Sequence, residues 1–528
     1  MHNTISKFIQ FSRPIQNDDE YQKTIELTPW WIDVAYLKNR APLPINSSPG
    51  LTFPKWNYSG VDGQILIAAK VIQSAVRFYE KIINLKRLID IAKKSNGYHL
   101  DMSQYQLIFG TTRIPACAKD KICYGKEKKS NHIIVIRNGH LFQLPIFNSS
   151  GKVLGIQQLI DEIKENILPL SSESNPYPIC VMTSEGRDAW AEVYNRIKEV
   201  NADAIKIIED SLFTLCLDNK MQIGDQSSDL DIQASQCLHG GGIRNNSANR
   251  WFDKTIQFVI GTDGYCGVTY EHTPAEAPPI ANLMDFICDE MFILLYYYKK
   301  KSSQALIFGI NKMAVDTFDK FGKNTIKNHG ISPDSFIQIA MQTAYYRIHR
   351  KLAIVYETAS LRRFTEGRTE IIRSPCFMTS MFITDFVNSD DEADHNLLIE
   401  MLRGAIQQHK KYNIEVGDGM DRHLLAMRLI CQEKDIEVPR ILETDIYKRM
   451  MHFTLSTSQV PSRNEIQVAF GPSARDCYGI CYNPRPNELQ FAITTFKDNE
   501  MTKSEEFIKE LGLVLNDLNN LLNRNEKP

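Results

Sequence analysis

Apolar positions along the chain recur with the period of a strand in some stretches and with the spacing of a helix in others. This alternation predicts a mixed α/β protein with large sheets. Residues 254–272 form two β-rich runs around a turn sequence at 262–264, which is typical of a hairpin, and His272 closes the second run. Apolar residues then recur at helical spacing over residues 277–291, so we expect a helix directly after the hairpin.

A second region of strand alternation lies near the C-terminal end. Over residues 452–460 the period of two places Ser456 and Ser458 on one face of a strand. A turn follows, and residues 466–470 are predicted to form a second strand that pairs back with the first.

A helix start is encoded at Ser332, where a capping serine precedes Pro333 at the first helical position. We expect this helix to run towards Tyr356. Its N-terminus is a natural phosphate-facing end, and Lys323 and Lys327 lie shortly before it. On the residues alone, an ordinary solvated basic loop is the simpler explanation of these two lysines.

Length and charge exclude several classes of protein. The chain has 528 residues, enough for two to four domains, and its 61 basic and 63 acidic groups give a net charge of -2. That balance argues against a chain-wide basic surface for nucleic acid. The longest apolar run, residues 291–298, is far shorter than the ~20 residues of a membrane span. The polar run at 296–304 is the predicted domain boundary.

The eleven cysteines stand singly inside apolar stretches, a pattern typical of reduced thiols. Only Cys477 and Cys481 are close in sequence, and nothing nearby completes a tetrahedral set, so we predict no metal site. The N-terminus has weak transit-peptide character, and the last residues, NEKP, are not a peroxisomal signal. The compartment stays open between mitochondria and cytoplasm.

The absence of several common catalytic motifs leaves acid–base chemistry as the main candidate. The chain has no GxSxG, GxxxxGK[ST] or HExxH sequence and no GxGxxG after a strand, which argues against serine hydrolases, the usual nucleotide sites and zinc proteases. Glu276 follows His272 by four residues, and a histidine held by a carboxylate can act as a general base. The hydroxyls of Ser456 and Ser458 could stabilise an oxyanion. An ordinary buried histidine and a polar strand face remain the simpler explanations on these residues alone.

Several longer motifs indicate the family of the protein more specifically than these single residues do. The segments TPWWIDVAYLKNRAPLP, CLHGGGIRNNSANRWFDKTIQF, YEHTPAEAPPI, QTAYYRIHRKLAIVYETASLRRFTEGRTEIIRS, GMDRHLLAMRL, STSQVP and YGICYNP occur in the chain. In this set and spacing they resemble the choline/carnitine acyltransferase family over most of the chain, and most closely its members that acetylate carnitine.

The resemblance implies a fold of two similar α/β domains related to chloramphenicol acetyltransferase, each a mixed sheet flanked by helices, with an active-site tunnel between them. The corresponding division is an N-terminal acyltransferase domain at 1–300, with the catalytic histidine, and a C-terminal one at 301–528, with CoA and carboxylate contacts. The implied activity is reversible transfer of a short acyl group, acetyl or also propionyl, between coenzyme A and the hydroxyl of L-carnitine.

The same resemblance assigns roles to individual residues. His272 is the general base, Glu276 the carboxylate that orients it, and Ser458 the hydroxyl that stabilises the tetrahedral oxyanion. Further family positions fall on carnitine contacts (Tyr356, Thr369, Arg422, Ser456), on CoA contacts (Lys323, Lys327, Asp334) and on the wall of the acyl pocket (Asp285, Val468). Arg422 discriminates between substrates, because choline has no carboxylate and choline acetyltransferases lack this arginine.

Two other functions stay open. Valine at 468 leaves more room than a bulkier residue, so a medium-chain carnitine acyltransferase is the first alternative. The family's segment upstream of the WW motif and its stretch corresponding to 285–323 are longer than here, so a catalytically idle CoA- or carnitine-binding relative is the second. We expect a monomer with carnitine and acyl-CoA as its partners and no prosthetic group.

Overall fold

The computed structural model describes residues 32–83, 100–125, 130–221, 229–242, 244–295, 311–362, 364, 366–389, 394–414, 420–460, 462, 464 and 466–524. The strands are β1 Gly50–Thr52, β2 Thr112–Ile114, β3 Lys121–Cys123, β4 His132–Arg137, β5 His140–Pro145, β6 Thr214–Asp218, β7 Ile256–Gly261, β8 Cys266–Tyr270, β9 Asn311–Phe318, β10 Val355–Ser360, β11 Thr369–Ile372, β12 Leu455–Gln459, β13 Gln467–Ala469, β14 Tyr478–Pro484 and β15 Leu489–Phe496.

The α-helices of the described residues are α1 Leu43–Asn46, α2 Gly60–Ile83, α3 Ile156–Glu162, α4 Arg187–Val200, α5 Ala202–Asp210, α6 Asp229–His239, α7 Ala277–Leu295, α8 Lys323–Asn328, α9 Pro333–His349, α10 Phe377–Asn388, α11 His395–Ile414, α12 Met420–Glu433, α13 Asp445–Met450 and α14 Ser504–Asn523. A single wide turn of π-helix, Asp33–Leu37, precedes them.

Two large mixed sheets organise the molecule. The first has seven strands in the order β13-β1-β8-β7-β6-β4-β5, and the second has six in the order β11-β10-β12-β14-β15-β9. Each contains both parallel and antiparallel pairs. Apolar residues of α2 and α7 pack against the first sheet, and those of α9, α11 and α14 pack against the second. The predicted α/β class with two sheets flanked by helices is confirmed.

The hairpin and the helix after it are where the sequence predicts them. Strands β7 and β8 pair antiparallel, and Gly264 in the turn has a φ of 87°, which favours glycine. His272 lies two residues beyond the end of β8, and α7 begins at Ala277. The histidine therefore stands in a short connection between a buried strand and a buried helix.

The predicted pairing of residues 466–470 with 452–460 is wrong. Strand β13 instead joins the first sheet, where it pairs antiparallel with β1 and Val468 lies opposite Leu51. The physical reason is that both edges of β12 are already occupied, by β10 and β14. A strand from the second half of the chain therefore completes the sheet of the first half.

The helix predicted at Ser332 begins there, but it ends earlier than expected. Ser332 caps α9 by accepting a hydrogen bond from the backbone N–H of Ser335. The helix stops at His349, because Arg350 adopts a left-handed conformation with φ 53°. Tyr356 consequently lies on β10 rather than in the helix.

Three further predictions concern features of the whole chain. The boundary at 296–304 lies outside the described residues, and the division into 1–300 and 301–528 stays a prediction. Among the described residues no helix is long and apolar enough to cross a membrane. All eleven cysteines are present as free thiols.

Candidate active site

The ring of His272 is held on both sides. Its Nδ1 lies 3.0 Å from the Tyr36 hydroxyl, and its Nε2 lies 3.5 Å from Oε2 of Glu276. The Tyr36 and His272 rings stack with centroids 5.4 Å apart. The sequence predicted that Glu276 holds one ring nitrogen and leaves the other free as a base; in the structure the other nitrogen contacts Tyr36, and that contact is the shorter one. Burial lowers the pKa of His272, although the charge of Glu276 acts in the opposite direction, so the ring is neutral at neutral pH.

Arg368 connects this histidine to the second half of the chain. Its Nε donates to Oε1 of Glu276 at 2.6 Å, and its other two nitrogens donate to the backbone carbonyls of Thr273, at 2.7 Å, and His272, at 3.0 Å. Burial alone would raise the pKa of Glu276, but Arg368 holds it below its ordinary value. Glu276 is therefore an ionised carboxylate that can stabilise a protonated His272.

One face of the second sheet carries the predicted hydroxyl groups. Tyr356 on β10 lies opposite Ser456 on β12, and Ser458 follows on the same face of β12. Thr369 is paired with Ser360 at the end of β10, on the same face again. The opposite face of these strands, with Val355 and Leu455, belongs to the core around α9 and α14. The hydroxyl-bearing face therefore points away from α9 and α14.

Arg422, in the first turn of α12, is fixed against β11. Its Nε donates to the carbonyl of Thr369 at 2.9 Å, and its Nη2 donates to the Thr369 hydroxyl at 3.3 Å. Its backbone N–H lies 3.4 Å from a carboxylate oxygen of Glu370. Since Arg368 and Thr369 are adjacent, β11 and the residue before it connect Arg422 with Glu276.

The residues around His272 and those around Arg422 are close enough to interact electrostatically. Burial raises the pKa of Tyr36, and Glu276, Arg368, Tyr356 and Arg422 all act on that pKa. Burial also raises the pKa of Tyr356, with Arg422 opposing the shift and Glu276 adding to it. The structure thus brings together residues of the predicted catalytic and carboxylate-binding sets.

The predicted CoA residues lie along the start of α8 and α9. Lys323 is the first residue of α8, and Lys327 is exposed one turn later. Asp334 is in the first turn of α9, where it accepts a hydrogen bond of 2.6 Å from the Tyr482 hydroxyl. The two lysines therefore lie on one side of a short helix just before the capped N-terminus of α9.

The two predicted acyl-pocket residues have different surroundings. Val468 lines a narrow pocket together with Val460, Cys481 and Ala492, and its free space is about that of one water molecule. Asp285 on α7 instead binds the loop that leads into β13: it accepts hydrogen bonds from the Ser462 hydroxyl, at 3.0 Å, and the Asn464 amide, at 2.8 Å. Asp285 thus supports the position of the strand that carries Val468.

Two clusters among the described residues have metal-ligand chemistry, and neither includes His272. Asp334, Glu357 and His409 form one, and His452, Asp476 and Cys477 form the other. In the first, the His409 nitrogen and the Glu357 oxygen are 2.7 Å apart and bonded directly, which leaves no room for an ion between them. The prediction that the protein uses no metal stays a prediction.

The sequence did not predict a role for Tyr36 or Arg368, although both lie in motifs that resemble the family. Tyr36 is part of TPWWIDVAYLKNRAPLP, and Arg368 directly precedes Thr369 in FTEGRTE. No local pattern marks either residue, because each acts on a histidine far away in sequence.

The site thus places a histidine–carboxylate pair and a fixed guanidinium on a fold of two mixed sheets flanked by helices. The chain belongs to the choline/carnitine o-acyltransferase family, whose model matches residues 16–307 and 297–512. Carnitine O-acetyltransferase of Columba livia is 37% identical over 563 residues, covering 99% of this chain and 89% of that protein. The Homo sapiens carnitine O-acetyltransferase is 36% identical, covering 94% and 83%. Choline O-acetyltransferase of Gallus gallus is 32% identical, covering 94% and 84%.

Proposed function

We propose that this protein reversibly transfers a short acyl group, acetyl first and propionyl next, between coenzyme A and the hydroxyl of L-carnitine. The observation that carries the proposal is the connection through Arg368 and Thr369. These adjacent residues join the His272–Glu276 pair to Arg422. A base for a hydroxyl and a cation for a carboxylate are thereby held in one site, as a substrate with both groups requires.

His272 takes the proton of the carnitine hydroxyl as that oxygen attacks the thioester carbonyl. Of the two ring contacts, the one between Nε2 and Glu276, at 3.5 Å, is longer than a regular hydrogen bond. A substrate hydroxyl that binds at Nε2 therefore replaces the weaker of the two contacts. Nδ1–H meanwhile donates to the Tyr36 hydroxyl. The ionised Glu276 then stabilises the imidazolium that forms. The proton passes from the imidazolium to the departing CoA thiolate, which completes the exchange.

The remaining groups bind charge. The Arg422 guanidinium, with the hydroxyls of Tyr356 and Thr369, supplies a cation and hydrogen-bond donors for the carnitine carboxylate. Ser458 donates to the tetrahedral oxyanion, and Ser456 contributes on the carnitine side of the same strand face. Lys323 and Lys327 bind the 3'-phosphate side of CoA, with Asp334 close by. Choline would leave the Arg422 cation without its anion.

Replacing His272 with alanine tests the assignment of the base. We expect His272→Ala to lower kcat by about 10²- to 10⁴-fold, the usual contribution of a general base, and to leave CoA binding largely intact. The measurement is initial-rate release of CoA from acetyl-CoA with carnitine, together with CoA affinity by calorimetry.

A matched control is His140→Ala. His140 lies on β5, the edge strand of the seven-stranded sheet whose strand β8 leads to His272. The substitution should leave kcat near that of the unaltered protein. If His272→Ala retains turnover while it loses CoA binding, His272 is a binding residue and the assignment fails. An unaltered protein that binds CoA without turnover would favour the idle binding relative.

A further inference from the structure

We propose that Arg113 is a positioning residue for His272, which fixes the backbone on both sides of the histidine and the tyrosine that contacts its ring. This inference rests on the proposed role of His272 as the base. It concerns a residue that does not itself meet the substrate: the Arg113 side chain is 1% exposed.

A single guanidinium bonds three residues that adjoin His272. Nη1 of Arg113 donates to Oε1 of Glu271 at 3.0 Å and to the hydroxyl of Thr273 at 3.2 Å. Nη2 donates to the backbone carbonyl of Tyr36 at 2.7 Å. One rigid planar group therefore bonds to the residues before and after the histidine and to the segment that carries Tyr36.

The residues flanking His272 are also bonded to each other. Glu271 accepts from the Thr273 hydroxyl at 2.6 Å and from the Thr273 backbone N–H at 3.2 Å. Glu271 and Thr273 are thus bonded to each other across His272, and Arg113 is bonded to both of them. Because side-chain direction follows from the backbone, loss of these hydrogen bonds would let the imidazole move relative to its hydroxyl target.

Arg113 is itself anchored in a buried network of charges. Its Nε donates to Oδ2 of Asp120 at 2.7 Å, and Nε of Arg187 donates to the same oxygen at 2.7 Å. Nη2 of Arg187 continues to Asp253 at 2.6 Å. Burial alone would raise the pKa of Asp120, but the two arginines hold it below its ordinary value. The carboxylate is therefore ionised and keeps the Arg113 guanidinium in a fixed orientation.

The network also sets the charge that His272 experiences. Burial lowers the pKa of His272, the charge of Glu276 raises it, that of Arg368 lowers it, and the nearby carboxylate of Glu271 also acts to raise it. Arg113 neutralises that carboxylate in the unaltered protein. Removing the guanidinium takes away the positive charge beside Glu271, so the negative charge of Glu271 acts more strongly on His272. The pKa of His272 should then rise, which leaves the base protonated, and therefore inactive, up to a higher pH.

Two substitutions separate geometry from charge. Arg113→Lys keeps the charge but loses the planar fork, so we expect kcat to fall roughly 10- to 100-fold with the KM values for carnitine and acetyl-CoA within about twofold. Arg113→Gln loses both the charge and the planar fork. The acid limb of the pH profile, where kcat/KM falls as His272 becomes protonated, should therefore also move to higher pH. In the double variant Arg113→Gln/Glu271→Gln, the limb should return towards its original position while kcat stays low.

The matched control is Arg250→Lys. Arg250 forms an equally buried two-point pair with Asp218, at 2.9 and 2.7 Å, in the same half of the molecule and bonded to no residue of the site. It should lower the melting temperature as much as Arg113→Lys does, with little effect on kcat. If the two variants lower the melting temperature equally and also lose kcat equally, Arg113 has only a structural role.

A second readout needs no turnover. The imidazole of His272 can be titrated by NMR in protein labelled with ¹³C-histidine, with its signal assigned from its absence in His272→Ala. We expect the midpoint to rise in Arg113→Gln and to fall back in the double variant. Unchanged midpoints would overturn the inference. If the unaltered protein releases no CoA with carnitine, the proposed function fails, whereas the titration still decides whether Arg113 controls His272.

Discussion

At the scale of single residues, the state of His272 results from opposing effects on its pKa. Burial lowers it, and the charge of Glu276 acts to raise it, with burial the larger effect. A base must be unprotonated to accept a proton, so a lowered pKa keeps more of the enzyme in its active form at mildly acidic pH.

The acid limb of the kcat/KM profile should reflect this shift. We expect its midpoint below about 6.5, the ordinary pKa of histidine. The measurement is the initial rate of CoA release between about pH 5 and 9 at low carnitine, since kcat/KM reports the free enzyme. Glu276→Gln removes the charge that raises the pKa and should move the limb lower still. A midpoint above 6.5 would contradict the role of burial.

Arg422 is the residue that should decide between carnitine and choline. It is held on Thr369 by two hydrogen bonds, in a partly buried position at the start of α12. Hydrogen bonds to charged groups contribute about 1.5–3 kcal/mol each, which corresponds to a change of roughly 10- to 100-fold in binding.

We therefore expect Arg422→Asn to raise the KM for carnitine roughly 10- to 100-fold and to leave the KM for acetyl-CoA near its original value. Arg428→Asn is the matched control, because Arg428 lies on the same helix and bonds instead to the carbonyl of Leu442. An unchanged KM for carnitine in Arg422→Asn would place the carboxylate site elsewhere.

At the scale of elements, local patterns predict strands and helices well and their partners less well. The β7–β8 hairpin and the start of α9 follow from turn and capping residues that act over a few positions. The pairing of β13 with β1 depends instead on which sheet edge is open, and more than 400 residues separate Val468 from Leu51. No local rule contains that information.

The same distinction applies to the site. His272, Glu276 and Ser458 lie in recognisable motifs, whereas Arg368 and Tyr36 were found only from their contacts with the histidine. A residue that positions another from a distant part of the chain has no signature of its own in a single sequence.

Strand β13 leads to a prediction about acyl length. It places Val468 in a pocket with little free space, and Asp285 anchors the loop before it. We expect activity to fall steeply from acetyl- to octanoyl- to palmitoyl-CoA at fixed carnitine, since a long alkyl chain would collide with these elements. CoA release with each thioester measures this. An optimum at octanoyl-CoA would favour the medium-chain alternative, and one at palmitoyl-CoA would refute the assignment of Val468 to the pocket wall.

At the scale of the whole molecule, the two halves of the chain are interlocked. Val468, Cys481 and Ala492 of the second half pack in the core of the first sheet. Arg368 donates to Glu276 across the two halves, and the Gln104 amide donates to the carbonyl of Gly367 at 3.1 Å. An active site built from both halves needs such a fixed relation between them.

This interlocking predicts that the halves unfold together. All five tryptophans lie between positions 30 and 251, and Trp56, Trp190 and Trp251 are buried in the first half, so tryptophan fluorescence reports on the folding of that half. Far-UV circular dichroism reports helices of both halves. We expect the two signals to have the same midpoint in urea, with a single transition. A fluorescence transition displaced from the circular dichroism transition would show that the halves unfold independently.

The central claim is that one site combines a histidine base with a cation for the substrate carboxylate. Its most direct test is the release of CoA thiol from acetyl-CoA with L-carnitine, with choline and with neither, using His272→Ala as the blank. We expect release with carnitine, far less with choline, and none above the blank without an acceptor. Equal release with carnitine and choline, or release that persists in His272→Ala, would contradict the account.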